Sequence, residues 1–153
     1  MTYFFLPEDF LKLTEKVHAV MDEMERVAQD MGESCQEGAE TYHDNFAYED
    51  GERRLRMLSQ RLRDLVRVRN AARVVDPDAG LAELGIGSRV TLQDLQDGAV
   101  KKFKIGSYMN FDSGDAISYD SPLAKLLMEA EPGERLDGMI VGRRRRFQVL
   151  AID

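Results

Sequence analysis

The chain has 153 residues, 43% hydrophobic and 32% charged, with 21 basic against 28 acidic side chains and a formal net charge of −7. That size is one large domain or two small ones, and the composition is that of a folded chain rather than a disordered one. No apolar run approaches the roughly 20 residues of a membrane span, the single Cys35 excludes a disulfide framework or multi-cysteine zinc site, and the acidic balance without tryptophan does not suggest a large nucleic-acid-binding face.

Phe4-Phe5-Leu6 is cut off by Pro7-Glu8-Asp9, too short for a signal sequence, so a cytoplasmic protein without membrane contact is expected. Pro7 opens the first predicted helix, where proline's fixed φ and missing N–H are tolerated. Phe10, Leu13, Val17, Val20, Met24, Val27 and Met31 then follow at alternating steps of 3 and 4, the spacing of a coiled-coil seam. Leu55, Leu58, Leu62 and Leu65 keep this rhythm in a second segment, where it lapses at Arg69 and resumes at Ala72. Charge separates the two segments. Pro7 to Glu40 holds ten acidic and three basic residues, whereas Glu52 to Val75 holds eight arginines against Glu52 and Asp64. Opposite signs favour lying side by side, although a surface ion pair contributes only about 0–1 kcal/mol. A larger helical bundle is disfavoured because nothing else in the chain supplies further long helices. The spacing predicts an antiparallel α-helical coiled-coil hairpin over residues 1–76.

Pairing Leu13 with Ala72, Val20 with Leu65, Met24 with Leu62 and Met31 with Leu55 centres the hairpin near residue 43. The tip then falls on Thr41-Tyr42-His43-Asp44-Asn45, where Asp and Asn favour turns and caps. Arms of about 30 residues make a rod of roughly 45–50 Å, long enough to carry a few side chains into a narrow opening. Gly32, Gly38 and Gly51 weaken the helices toward that end.

Asp76-Pro77-Asp78-Ala79-Gly80 stops the helix, and residues 77–85 read as a linker. The period then changes to two. Arg89–Leu92 and Lys101–Ile105 read as strands about a turn at Gln96-Asp97-Gly98, and Ala116–Tyr119 as a third. Ser121 caps a helix with Pro122 at its first position, running from Leu123 to Ala130. Strands near Asp137–Val141 and Arg146–Ile152 flank Gly142-Arg143-Arg144-Arg145. The run Arg143–Arg146 reads equally as a nucleic-acid patch, a solvated hairpin or a contact to an acidic protein surface. Residues 86–153 are thus expected as a small α+β domain, a twisted antiparallel sheet with one helix on it. The whole is a two-domain chain, α followed by α/β.

Three stretches, Gly87-Ser88-Arg89-Val90-Thr91-Leu92, Ile117-Ser118-Tyr119-Asp120-Ser121-Pro122-Leu123-Ala124 and Phe147-Gln148-Val149-Leu150, together with a helical hairpin ending in Val74-Val75-Asp76, resemble the Gre-type (GreA/GreB) bacterial transcript-cleavage factors. The resemblance implies an FKBP-like C-terminal domain without isomerase activity, docked on the rim of the RNA polymerase secondary channel through Asp120, Ser121, Pro122 and Leu123. It implies that the coiled coil enters the channel and reaches the nascent RNA 3′ end only indirectly. In the family the tip reads Asp-x-x-Glu-Asn, with a tyrosine three residues on. Its carboxylates help the polymerase hold a second Mg²⁺, and two such cations stabilise the attacking and leaving oxygens of phosphodiester hydrolysis.

Counting back from Val74-Val75-Asp76 places that motif on Thr41-Tyr42-His43-Asp44-Asn45, with Tyr48 as the tyrosine. Asp44 keeps one carboxylate, Thr41 has lost the other, and Glu40 stands one residue away, about 100° around a helix. Asp44, helped by Glu40, is the expected Mg²⁺ ligand and catalytic assistant, and only in complex with the polymerase. An alternative register uses Glu33 and Glu37. Asp44 and His43 also read simply as turn residues, and Cys35 as a passive side chain. Residues 29–52 contain eight carboxylates and no Lys or Arg, which favours metal binding or blocking over gripping phosphate. No nucleophile–base pair or complete ligand set is visible, so the isolated chain, taken as a monomer, is not expected to be an enzyme. A cleavage-inactive regulator of polymerase and an interaction module that never meets polymerase are the rival readings.

Overall fold

A computed structural model describes residues 1–37, 46–77, 85–111, 114–140 and 142–153. Contacts divide the chain into two compact units, Leu11–Ala71 and Met1–Phe10 with Ala72–Asp153. The first ten residues, which the sequence assigns to the hairpin, therefore belong with the sheet.

In the helical unit, α1 spans Pro7–Glu37 and α2 spans Phe46–Asn70. The seven-residue rhythm is the buried stripe. Leu13, Val17, Val20 and Val27 are buried, and Met24 and Met31 are half-buried. On α2, Leu65 and Val68 are buried and Leu55, Leu58 and Leu62 half-buried, so Val68 carries the stripe past Arg69. The helices run in opposite directions. Arg69 Nε donates to Thr14 Oγ1 at 3.3 Å, and Arg54 Nη2 bonds Glu23 Oε1 at 3.1 Å. Met31 fills the space left by Gly51, where a Cβ would collide with its Cγ. Met31 was expected opposite Leu55; the side-chain gap at Gly51, one turn earlier, receives it instead. The expected turn at 41–45 and linker residues 78–84 lie outside the described residues.

The second arm was expected to stay helical to Val75. Instead α2 stops at Asn70 and Ala72–Val74 forms β2, paired in parallel with β1, Tyr3–Phe5. Ala72 thus faces Tyr3 rather than Leu13. Val74 and Val75 have the β-branched shape that suits extended backbone, and β1 supplies the ladder that a helical period cannot reveal.

The larger sheet has the order β5-β4-β3-β7-β6, with β3 Arg89–Asp94, β4 Val100–Gly106, β5 Ala116–Ser118, β6 Arg135–Ile140 and β7 Arg143–Ile152. β5 runs parallel to β4 (Lys104↔Ala116, Gly106↔Ser118) while the other pairs are antiparallel. The sheet is therefore mixed, not antiparallel as expected, because alternation assigns residues to faces and carries no strand direction. The arginine run is not a loop: β7 begins at Arg143 after Gly142, whose φ of +73° makes the turn. Helix α3, Pro122–Met128, ends two residues before the expected Ala130. The core of this unit comprises Val90, Leu92, Ile105, Ala124, Leu127, Ile140, Phe147 and Val149.

Candidate functional site

The loop from β5 to α3 brings Asp120, Ser121, Pro122 and Leu123 together. Ser121 has extended backbone, and its Oγ accepts the Ala124 N–H at 3.2 Å, satisfying a donor that the helix start would orphan. Its own N–H donates to Ser118 O at 2.9 Å, and the Lys125 N–H donates back to Ser121 O at 3.0 Å. Asp120 Oδ1 meets Lys125 Nζ at 2.9 Å, an exposed pair of little energetic weight. Asp120 and Pro122 are exposed while Ser121 and Leu123 are half-buried, so the loop presents a carboxylate and a proline ring on a rigid cap. Beside it lies an open groove of about 340 Å³ lined by Pro122, Leu123 and Leu126 on one side and Gly138 and Met139 on the other, with Asp137 and Arg144.

Sequence reasoning missed the support behind this loop. The Phe4 N–H donates to the Tyr119 hydroxyl at 3.2 Å, and their rings pack edge to face at 5.8 Å. Phe4 O accepts the Tyr108 N–H at 3.0 Å, and Phe5 O accepts the Val75 N–H at 2.9 Å. Tyr3 stacks at a tilt on Tyr108 with ring centres 4.4 Å apart. Burial pushes the Tyr119 phenol above its ordinary 10.0, the Phe4 N–H bond partly opposes this, and the nearby Asp120 adds to the rise. The available signal was the apolar run Tyr3-Phe4-Phe5-Leu6, too short for a helix and ended by proline.

Of the tip residues, Glu40, Thr41, Tyr42, His43, Asp44 and Asn45 lie outside the described residues. Tyr48 sits half-buried in the first turn of α2, near the 81% exposed Phe46. Glu33, of the alternative register, is exposed on α1, where Gln29 Nε2 donates to it at 3.4 Å. Cys35 is a free, half-buried thiol. Among the described residues no group of three or more His, Cys, Asp or Glu converges as a metal site, and no helix is long and apolar enough to cross a membrane.

Residues 80–153 match the family model described as transcription elongation factor GreA/GreB, C-terminal. The chain is 25% identical over 124 residues to transcription elongation factor GreA of Mesomycoplasma hyopneumoniae strain 7448, covering 80% of this chain and 76% of that one. It is 28% identical over 148 residues to GreA of Aliarcobacter butzleri, covering 94% and 84%. A crystal structure of GreA factor homolog 1 from Thermus thermophilus aligns over 100% of this chain and 99% of that one, at 21% identity and a TM-score of 0.47. The family's own C-terminal model thus spans residues 80–153, and the chain is similar to GreA transcription elongation factors along most of its length.

Proposed function

We propose that this protein binds RNA polymerase and inserts its helical pair, as a coiled coil, into the secondary channel to modulate elongation. In this reading Leu11–Ala71, the helical part of the expected 1–76 segment, forms the inserted arm, 77–85 the linker, and 86–153 an FKBP-like domain that docks on the channel rim through Asp120–Leu123. The observation that carries it is the match of residues 80–153 to the GreA/GreB C-terminal model, on a chain whose preceding segment is two long antiparallel helices. Asp44 and Glu40 are the residues that would share Mg²⁺ with the polymerase. Their carboxylates suit that hard cation, which when bound stabilises charge developing on the phosphodiester oxygens. This chain supplies ligands, and the polymerase performs any cleavage of backtracked RNA.

A second reading, channel occupancy without cleavage, is favoured by Thr41 standing where the family pattern has a carboxylate and by the absence of Lys and Arg from residues 29–52. One experiment separates the readings. Purified protein is added to core polymerase in a co-elution assay, then to stalled, backtracked complexes. Co-elution with RNA shortening that vanishes in Asp44→Ala supports cleavage assistance. Co-elution with altered pausing and no shortening supports the second reading. No co-elution removes both and leaves an interaction module unrelated to polymerase.

A further inference from the structure

We infer that the open face of the five-stranded sheet is a sequence-independent binding surface for the phosphodiester backbone of nucleic acid. The chain as a whole is acidic, yet its sheet is not. After Asp76 the sequence holds ten basic residues, and nine of them lie on β3, β4, β6 and β7, which carry only two carboxylates, Asp94 and Asp137. Both carboxylates are engaged, Asp94 with Arg145 at 3.6 Å and Asp137 with Arg144 at 3.3 Å. Lys104 meets Glu8 at 3.6 Å.

The remaining cations are sorted by strand alternation. Arg89, Lys102, Arg135 and Arg146 each stand next to a residue of the packed face, namely Val90, Phe103, Leu136 and Phe147. They therefore project from the opposite side. All four are exposed, and none makes an ion pair among the described residues. The register sets Arg89 opposite Lys104 and Thr91 opposite Lys102. These four side chains line a hollow of about 110 Å³, together with Phe103, Asp115 and Asp153. Across β4, β3, β7 and β6, at about 4.8 Å between strands, the cations span roughly 14 Å.

Charge and composition choose the occupant. Arginine binds phosphate in a bidentate fork. Phe103 is the one aromatic residue lining this hollow, and a single ring is no platform of the kind that anchors protein interfaces or stacks bases. A backbone contact without base readout fits such a surface.

The test is fluorescence anisotropy of the full chain with a labelled random-sequence DNA duplex and a labelled single-stranded RNA, between 50 and 200 mM salt. Neutralising three to four phosphates predicts an affinity loss of about 40- to 150-fold for the duplex over that range. The variant Arg89→Gln/Lys102→Gln/Arg146→Gln, checked for folding by circular dichroism, should bind at least tenfold more weakly with a nearly flat salt dependence. The single Lys102→Gln change should show a smaller loss in the same direction, and Lys125→Gln on α3 none. Tighter duplex binding assigns the surface to DNA, and tighter single-strand binding assigns it to RNA. Absence of binding at 50 mM, a triple variant equal to the parent, or tighter binding of labelled polyglutamate than of either nucleic acid would overturn the inference, the last in favour of an acidic protein partner.

Discussion

The Ser107 hydroxyl donates to Asp9 Oδ2 at 2.5 Å while accepting the Leu6 N–H at 2.8 Å. Ser107 has no exposed surface and Asp9 is 8% exposed, so one hydroxyl satisfies a buried carboxylate in the first turn of α1 and a backbone donor just before it. Ser107→Ala leaves both without that partner. A buried group stripped of its partner costs about 1–3 kcal/mol. Thermal melting of the variant should fall by several degrees, at roughly 2–4 °C per kcal/mol for a chain of this size, and an unchanged melting temperature would remove Ser107 from the account of stability.

Two helical glycines should respond oppositely to a side chain. Nothing lies within 4 Å of a Cβ built at Gly32, whereas one built at Gly51 strikes Met31. Gly32→Ala should stabilise by about 0.5–1 kcal/mol through helix propensity alone. Gly51→Val should destabilise by about 1–3 kcal/mol through overpacking. Denaturant titrations of the two variants measure both signs, and equal stabilisation would mean that Met31 does not occupy the gap.

The Tyr119 phenol should titrate above the ordinary value. Its folded-state pKa is raised, so its contribution to stability is complete below about pH 10 and is lost as pH climbs through the folded value. Absorbance at 295 nm should show one late-titrating tyrosine that disappears in Tyr119→Phe. A Tyr119→Phe curve superimposable on the parent would contradict the burial argument.

Much of this was legible in the residues. The rhythm from Leu13 to Met31 marks the buried stripe because one face of a helix recurs every 3.6 residues, and Ser121-Pro122 marks the start of α3 because cap chemistry is local. The parts that were not legible depend on partners distant in sequence. Tyr3–Phe5 becomes a strand only because Ala72–Val74 lies beside it, and β5 runs parallel to β4 although its alternation is the same either way. Arg143–Arg145 read as a turn because charge suggested a loop, yet an exposed strand face takes long charged stems readily. Asp120–Leu123 could be placed on their loop from local signals, but the Phe4 bond behind Tyr119 could not, since no short-range pattern joins positions 115 residues apart.

Ser121 offers a test of the proposed polymerase contact at the β5–α3 loop. Ser121→Ala removes the Oγ that holds the Ala124 N–H and should cost about 1 kcal/mol of cap energy. Ser121→Asn retains an oxygen in the same place and should restore most of that stability. If the loop contacts polymerase, Ser121→Ala should co-elute with core enzyme less than the parent and Ser121→Asn should recover. Parental co-elution by all three proteins would move the contact elsewhere.

The most direct measurement places a photo-crosslinking benzophenone side chain at Tyr42, at the expected end of the helical pair, and irradiates the protein bound to a stalled elongation complex. Insertion into the channel predicts adducts to the catalytic centre of the polymerase or to the RNA 3′ end, abolished by excess unlabelled protein. Adducts only to the outer surface of the enzyme, with co-elution intact, would contradict insertion into the channel.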